Sequence, residues 1–463
     1  MTEKMTRSTS IKWLLTYLVP ILILLIPSNE VFTWKIKLFL AITVCAMMLM
    51  AFEFFNTYVV GMLLPAVYLI TGLADINTVM SPWMGTTCYM VLGAFTLAAI
   101  LQECGLLTRI AYWMMSKIGG NYFKVLLSIF AAGWVLTMLT FGASAHIILP
   151  ALCIGLIYAL DITGTKAAAG IAMACMIGSC ASRSFSYPAV TYGVITGLAG
   201  DVLGDGYQVS FIDAFLYNWP MVIFSLLMLW IMSKWYKNEK PLSSKEYFQE
   251  KLQELGPITR NEKINSVVLV LVIAFLLTNP FHGFEVAYGF MLIPYLVWVI
   301  PKLNSASPDG ALNVPWGMVF VMTGCMSIGV VASNLGIGTI IQQYVLPILQ
   351  ANNNPFFFFA ALLIFVFIAN LLMTPMAIWA LVTIPLIEIA NTLGYDPLSI
   401  IFGLIHTCEL VIFPYEYTTY LIVYAFGMMS MKDFIVTNTV RCLITGIGFV
   451  AILVPYWMLL GLI

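Results

Sequence analysis

The chain has 463 residues, of which 62% are hydrophobic and 9% are charged, and its formal net charge is −1. An ordinary soluble domain is about 45–50% apolar and about 25% charged, so this composition excludes a soluble globular protein. The charge balance also excludes a nucleic-acid-binding protein, which needs a basic surface. Because the apolar segments are continuous runs of the kind that membrane helices need, we predict an all-α polytopic membrane protein.

The chain opens on a short basic segment, "MTEKMTRSTSIKW", followed by an apolar run without a small-residue cleavage site. This pattern indicates a retained first membrane helix rather than a cleaved signal peptide. We predict N-terminal membrane helices over residues 1–56, and the charges of Lys4, Arg7 and Lys12 predict a cytoplasmic N-terminus. The nine cysteines lie mostly within apolar runs and lack zinc-type spacing, so we predict no metal site.

The stretch "TFGASAHIILP", Thr140 to Pro150, places small and polar residues, a histidine and a proline at membrane depth. Backbone that leaves the helix inside a bilayer is tolerated only where it is buried in protein or lines a cavity. We therefore predict a re-entrant hairpin near residues 124–160, with its tip in this stretch. The N-terminus of the returning helix would offer partial positive charge to an anion.

A polar insertion, Ser233 to Lys263, divides the apolar sequence and carries seven of the 20 lysines and arginines. The positive-inside rule places this linker in the cytoplasm. Within it, the spacing of Tyr247, Leu252 and Leu255 predicts a short surface helix whose charged face is solvated.

Three segments before the linker pair with three segments after it, in the same order. The pairs are "LGAFTLAAILQECGLLTRI" (Leu92–Ile110) with "TGCMSIGVVASNLGIGTII" (Thr323–Ile341), "TFGASAHIILPAL" (Thr140–Leu152) with "TPMAIWALVTIPLI" (Thr374–Ile387), and "SFSYPAVTYGVI" (Ser184–Ile195) with "FPYEYTTYLIVY" (Phe413–Tyr424). Such pairs indicate two inverted-topology repeats, each with a re-entrant hairpin and a broken helix, around a site near the midplane. We place the repeats at 57–232 and 264–463, with the second hairpin near 355–390.

The chain resembles the divalent-anion:sodium symporter family of dicarboxylate and sulfate transporters, within the wider ion-transporter superfamily. The resemblance extends from about Leu63 to Leu460 and is carried by "GLLTRIAYWMMSKIGG", "IILP", "ELGPITRNEKI", "NVPWGMVFVMTG" and "FPYEYTTYLIVYAFGMMSMKDF". It implies a homodimer in which a scaffold domain supports an elevator-type transport domain. It also implies sodium as the coupling ion.

The functional motifs depart from those of the family. The family's hairpin tips carry Ser-Asn-Thr, whose amide and hydroxyl groups hold a substrate carboxylate and help to coordinate sodium. The corresponding positions here are Thr140, Phe141, Gly142 and Pro375, Met376, Ala377. The resemblance therefore implies a conserved scaffold in which most carboxylate-binding side chains have been replaced.

Ionisable residues lie close to the replaced motifs. Arg183 precedes the first broken segment, and Glu409 and Glu416 flank Pro414 in the second. Ionisable groups inside a membrane cost about 2.5–3.5 kcal/mol even on the lenient insertion scale, so they face an interior and usually serve a function. Arg183 can clamp a carboxylate or sulfonate, and Glu416 can bind an ammonium group or a coupling proton. A structural pair of Arg183 with Glu409 or Glu416 is the alternative.

The predicted site takes residues from both hairpins and both broken helices. The candidate substrate-binding residues are Thr140, Gly142, Ala143, Ser144, His146, Arg183, Ser186, Tyr187, Pro188, Thr374, Pro375, Met376, Ala377, Trp379, Tyr415, Glu416 and Thr418. The candidate coupling-ion residues are Thr140, Ser144, Thr374, Glu409 and Glu416. His406 and Glu409 share a helix face, but no second His/Glu pair completes a metal site.

We expect a secondary active transporter that moves a small organic anion, di- or monocarboxylate-like, across the cell membrane by alternating access, coupled to sodium, protons or exchange. One alternative is a proton-coupled or exchange transporter of a zwitterionic substrate that uses Glu416 and Arg183. A membrane enzyme is a further alternative, but the sequence has neither H-E-x-x-H nor a nucleophile motif, so we expect no enzyme and no cofactor besides the coupling ion. The expected partners are the solute, membrane lipid and a second copy of the chain.

Overall fold

The computed structural model describes residues 7–29, 32–51, 54–55, 57–117, 121–204, 207–236, 244–301, 303–307, 315–337, 354–371, 375–425 and 427–463. Within these ranges the structure is helical and contains no β-strand, which confirms the predicted all-α fold. The helices before the linker are α1 (Arg7–Leu25), α2 (Trp34–Ala51), α3 (Thr57–Ile70), α4 (Ile76–Met84), α5 (Thr86–Glu103), α6 (Leu106–Lys117), α7 (Tyr122–Leu139), α8 (Ala145–Ala159), α9 (Lys166–Ser179), α10 (Ala189–Leu198), α11 (Gly200–Leu203), α12 (Phe211–Asn218) and α13 (Met221–Trp235).

The helices from the linker onward follow in the same way. They are α14 (Ser244–Glu254), α15 (Arg260–Leu277), α16 (Asn279–His282), α17 (Val286–Leu292), α18 (Leu296–Val299), α19 (Trp316–Asn334), α20 (Pro355–Asn370), α21 (Pro375–Leu393), α22 (Pro397–Cys408), α23 (Thr418–Ala425), α24 (Met431–Gly448) and α25 (Val454–Leu459). Short 3₁₀ turns, Ala181–Phe185 and Pro414–Glu416, follow α9 and α22, and a π-helical turn, Phe449–Leu453, joins α24 to α25.

Four helical segments among the described residues are long and apolar enough to cross a membrane alone: Ile76–Glu103, Tyr122–Leu139, Lys166–Phe185 and Met431–Leu459. Helices α12 and α13 would add a fifth span if counted together, although they are bent by 55°. This segment is interrupted just before Met221, because Pro220 cannot donate a backbone hydrogen bond.

Two helical hairpins and two broken helices form the centre of the molecule. Helices α7 and α8 both pack against α9, and α20 and α21 both pack against α22. Contacts also cross between the two halves of the chain, because α23 packs against α8 and α10 packs against α21. The second part of each broken helix therefore contacts the returning arm of the other hairpin.

The crossing of α7 and α9 is close because glycines face each other there. A Cβ atom added at Gly133 would lie 2.7 Å from the carbonyl carbon of Gly178, and one added at Gly178 would lie 2.7 Å from the carbonyl oxygen of Phe130. Thr137 Oγ1 donates to the carbonyl oxygen of Gly133 at 2.8 Å, so its hydroxyl is satisfied within the crossing. This contact fixes the first hairpin against the first broken helix.

The linker helix α14 is anchored to the helical body. The sequence predicted a surface helix, and the structure shows that α14 packs against α6 and buries the Phe248 ring completely. Next to it, Arg109 Nε donates to Glu262 Oε1 at 2.6 Å, and Arg109 Nη1 donates to the Gly256 carbonyl at 2.9 Å. The linker is therefore held to both α6 and the start of α15, while the Lys251–Glu254 pair on its outer face stays solvated.

Candidate functional site

A cavity of about 320 Å³ lies where the two hairpins and the two broken helices meet. Its volume is within the range of about 300–1,000 Å³ that is usual for small-molecule sites. The hairpins contribute Gly142, Ala143, His146, Pro375, Met376 and Trp379, and the broken helices contribute Arg183, Val190, Thr191, Val194, Tyr417 and Thr419. We refer to this space as the central cavity.

The tip of the first hairpin is a tight turn. Phe141 and Gly142 both adopt left-handed backbone conformations, with φ of 51° and 83°. The cost of this conformation at Phe141 is offset by the burial of its ring, which meets the Phe290 ring edge-on at 4.8 Å. The Gly142 N–H donates to the Thr137 carbonyl at 2.9 Å, so the end of α7 is closed and the chain turns back towards α8.

Helix α8 begins at the central cavity with uncapped groups. No side chain caps its N-terminus; the Ile147 N–H donates to the Ser144 carbonyl at 3.0 Å, whereas the N–H groups of Ala145 and His146, ahead of it, lack intrahelical partners. Ser144 Oγ and His146 Nδ1 are buried and have no hydrogen-bond partner among the described residues. Trp379 Nε1 on α21 is also buried and interacts weakly with the Cys408 thiol. Buried polar groups in proteins are normally hydrogen-bonded, so the Ser144 and His146 atoms are available to a polar ligand.

Arg183 links the two broken helices across the sequence. Its Nη2 atom lies 2.9 Å from Glu409 Oε1 and donates to Thr419 Oγ1 at 2.9 Å, while its Nε donates to the Cys180 carbonyl at 3.2 Å. The guanidinium carbon lies 4.4 Å from the centre of the Tyr417 ring, within the distance of a cation–π contact. The structure thus selects Glu409 as the partner of Arg183, one of the two pairings that the sequence left open.

Glu409 is enclosed by further polar groups behind the cavity. Tyr420 Oη donates to Glu409 Oε2 at 2.7 Å, and Arg441 Nη2 donates to the Glu409 carbonyl at 2.8 Å. Arg441 also donates through Nε to Asn438 Oδ1 at 2.9 Å. The sequence interpretation did not single out Arg441, although an arginine inside the apolar stretch "TVRCLITG" was a usable signal.

Two other ionisable candidates serve the backbone or a neighbouring helix. Glu416 Oε1 accepts the Phe413 N–H at 2.9 Å and Oε2 accepts the Ile412 N–H at 3.2 Å, so this carboxylate closes its own loop. His406 Nε2 lies 2.7 Å from Asn218 Oδ1. Neither side chain lines the central cavity.

Several predicted site residues point elsewhere. The Thr140 hydroxyl donates to the Leu136 carbonyl, the Ser186 hydroxyl to the Ser182 carbonyl, and the Tyr187 hydroxyl to the Val209 carbonyl. Pro188 lies behind the hairpin tip, where a Cβ on Gly142 would lie 3.1 Å from the Pro188 Cβ. Thr374 lies outside the described residues, and of Ala377, Tyr415 and Thr418 only the backbone is described.

The structure adds features that the sequence interpretation missed. Phe95 of α5 and Val321 of α19 form part of the apolar wall of the central cavity. A second cavity, of about 210 Å³, lies on the other face of α10, where Tyr187, Gly193 and Gly197 line it. Helix α10 therefore separates two cavities, and its two glycines lie on the side of the second.

Apolar helices arranged as two hairpins and two broken helices around a central cavity define a multi-pass membrane protein with the architecture of secondary transporters. The family model described as the sodium:sulfate symporter transmembrane region matches residues 7–463, and the chain belongs to that family. The family resemblance found in the sequence is thereby confirmed. The family and the relatives described next are transporters, not enzymes.

Similar proteins include the sodium-dependent dicarboxylate transporters SdcS of two staphylococci. That of Staphylococcus aureus (strain USA300) is 23% identical over 308 residues, which cover 59% of this chain and 58% of the relative. That of Staphylococcus saprophyticus is 23% identical over 314 residues, with the same coverage. The matched part of this chain thus spans less than two thirds of the length of these relatives.

The fold is also similar to a solved structure. The crystal structure of the Alcanivorax borkumensis YdaH transporter, described as having an unusual topology, matches with a TM-score of 0.58 and 16% identity. The match covers 86% of this chain and 89% of that chain. At this identity the likeness concerns the fold alone.

Proposed function

We propose that this protein is a secondary active transporter that moves a small organic anion across the cell membrane by alternating access. The observation that carries the proposal is the chemistry of the central cavity. The N-termini of α8 and α21 begin at its wall, the unpartnered Ser144 hydroxyl lies beside it, and no carboxylate lines it among the described residues. The polar side chains of its lining are Tyr58, His146, Arg183, Thr191, Trp379, Tyr417 and Thr419. Hydrogen-bond donors at helix N-termini suit an anion.

The same arrangement argues against the zwitterionic alternative. A carboxylate is the strongest partner for an ammonium group, and Glu409 is already paired with Arg183 and Tyr420. Glu416 is already bound to two backbone amides and lies away from the central cavity. An anion is therefore the substrate class that these groups favour.

For coupling, we propose sodium as the co-transported ion. The support is the family description, which names sodium, and the relatives, which are named sodium-dependent. Of the coupling-ion residues predicted from sequence, Ser144 has the one side chain whose polar atom is unpartnered within the described residues. Backbone carbonyls at the two breaks are the remaining ligands in our proposal.

We also propose the arrangement that the resemblance implies: two inverted repeats at 57–232 and 264–463, an elevator-type transport domain, a homodimer, and a cytoplasmic N-terminus and linker. The reciprocal contacts of α23 with α8 and of α10 with α21 support the two repeats. The two cavities on either side of α10 support access from two directions.

Uptake into proteoliposomes tests the proposed function. Dicarboxylates, monocarboxylates, sulfonates and amino acids are supplied under a sodium gradient, a proton gradient, or with internal unlabelled solute. We expect saturable, sodium-driven uptake of an organic anion. Uptake confined to amino acids, or a flux that does not saturate, would contradict the proposal.

A matched pair of serine variants links the uptake to the central cavity. Ser144→Ala removes an unpartnered hydroxyl at the start of α8, and we expect it to weaken uptake about ten-fold or more, the effect of one hydrogen bond to a charged group. Ser128→Ala removes a buried hydroxyl that donates to the Val125 carbonyl within α7, and we expect no comparable loss. Equal effects of the two variants would place the substrate elsewhere.

A further inference from the structure

The only charged side chain that lines the central cavity in the described part of the chain is Arg183, and its charge is already neutralised. The Arg183 guanidinium and the Glu409 carboxylate are in contact at 2.9 Å, and both side chains are buried, with 7% and 6% of their surface exposed. The second oxygen of Glu409 accepts a hydrogen bond from Tyr420. The pair therefore presents no full positive charge to a ligand.

Within the lining, the remaining attraction for an anion comes from neutral groups; Arg441, which donates to the Glu409 carbonyl, lies behind that pair and does not line the cavity. Each helix N-terminus acts as about half an elementary charge, so the N-termini of α8 and α21 together match about one negative charge. The unpartnered His146 Nδ1, on a side chain that is only 4% exposed, lies in the cavity lining beside the start of α8. In the neutral tautomer that carries its hydrogen on Nδ1, His146 adds a donor without adding charge.

Most of the remaining cavity wall is apolar. Phe95, Val190, Val194, Val321 and Met376 line it, and none of these side chains can accept or donate a hydrogen bond. The other polar side chains of the lining, Tyr58, Thr191, Tyr417 and Thr419, carry neutral hydroxyl groups. A second carboxylate on the ligand would therefore meet hydroxyl groups at most and no cation, and a buried charge without a charged partner is costly. The volume of about 320 Å³ is at the small end of the range for small-molecule sites.

From the charge balance and the mostly apolar wall, we propose that the substrate is an organic monoanion with a small apolar body, rather than a small dianion. This inference rests on the proposed function, because it specifies the anion that the same cavity takes. It departs from the dicarboxylates after which the relatives are named. The replacement of the Ser-Asn-Thr tips agrees with it, since side chains that held carboxylate groups are missing.

Binding to the purified full-length protein in detergent gives the first test, by thermal-shift titration at neutral pH with hexanoate and adipate. The two ligands have the same carbon chain and differ in one terminal group, methyl against carboxylate. We expect hexanoate to bind at least ten-fold more tightly, and affinity to rise about four-fold per CH₂ from butanoate to hexanoate. Tighter binding of adipate, which a cationic His146 or an unpaired Arg183 would produce, overturns the inference of a monoanionic substrate. The proposed transport of an organic anion would still stand.

Transport is tested with permanently charged ligands, because protonated monocarboxylic acids cross bilayers unaided. Proteoliposome uptake of hexanesulfonate and 1,6-hexanedisulfonate, measured by mass spectrometry, should favour the monosulfonate at least ten-fold. Preference for the disulfonate overturns the inference. If no carboxylate or sulfonate of either charge binds or is taken up, the proposed function fails together with the inference.

A change of charge behind the cavity gives the sharpest variant. Glu409→Gln leaves an oxygen for Tyr420 but frees the positive charge of Arg183, so we expect the adipate-to-hexanoate affinity ratio to rise at least ten-fold. Glu388→Gln makes the same substitution on α21 away from the cavity lining, and should leave the ratio unchanged. An unchanged ratio in folded Glu409→Gln protein overturns the role of the charge balance, and if that variant does not fold, the wild-type ligand pairs decide.

Discussion

The glycine contact between α7 and α9 supports the hairpin over the broken helix, and Gly178→Ala tests it. The added Cβ would lie 2.7 Å from the carbonyl oxygen and 2.9 Å from the Cα of Phe130, whereas ordinary contact begins at 3.4 Å. The deficit is about 0.7 Å against backbone atoms that cannot rotate away. The helices must therefore move apart, and overpacking of this kind costs about 1–3 kcal/mol.

Separation of the helices has a visible consequence in the same region. Thr137 Oγ1 lies 3.3 Å from the Gly178 carbonyl and 3.4 Å from the Ser179 carbonyl, and both contacts would be lost. Helix α9 ends at Ser179, directly before the turn that carries Arg183, so the shift also displaces the wall of the central cavity. We expect a lower melting temperature, by a few degrees, and weaker uptake.

The measurement is thermal unfolding of purified Gly178→Ala protein, followed by proteoliposome uptake. Gly200→Ala is the matched control, because a Cβ at Gly200 meets no atom within 4 Å, and its stability should stay within about 0.5 kcal/mol of wild type. If Gly178→Ala protein unfolds at the same temperature as the control and wild type, the close crossing described above does not exist and the reasoning is refuted.

Three further predictions concern ion pairs and carboxylates. Glu262→Gln should lower the free energy of unfolding by about 1.5–3 kcal/mol because it weakens the hydrogen bond from Arg109. Burial raises the pKa of Glu262, but the hydrogen bonds from Arg109 and from the start of α15 outweigh this effect, so the pKa of Glu262 is lowered overall. That stability is present above the ordinary glutamate pKa of about 4.3 and is lost as pH falls through the lower folded-state value, so a pH series of unfolding curves should show this acid loss in wild type and not in the variant. Arg183→Gln should lower the free energy of unfolding by about 3–5 kcal/mol because it leaves Glu409 without its ion-pair partner. In chemical unfolding, the double variant Arg183→Gln/Glu409→Gln should recover part of this stability. Strictly additive losses in the two single variants and the double variant would contradict the pairing. Glu416→Gln should retain proteoliposome uptake, since its carboxylate binds loop amides away from the cavity; abolished uptake would favour the zwitterionic alternative.

The sequence by itself determined the class of the molecule and the places where its helices break. In a bilayer only helices and closed β-barrels satisfy every backbone polar group. Continuous apolar runs lack the alternation of barrel strands, so the all-α fold followed from the sequence pattern. Small residues and prolines at Thr140–Pro150 and around Pro188 and Pro414 predicted interruptions, because backbone geometry at such residues is a local property. The structure has its hairpin tip and its two 3₁₀ turns at these places.

Only the tertiary structure decided which side chains meet. Arg183 and Glu409 are far apart in the chain, and nothing local distinguishes Glu409 from Glu416 as its partner. The direction of a side chain on a short helix depends on how that helix is rotated in its packing, which is why, on α10, Tyr192 faces the second cavity and Val190 the central one. The net charge of the central cavity depends on these long-range contacts, and the substrate class that we propose depends on it in turn.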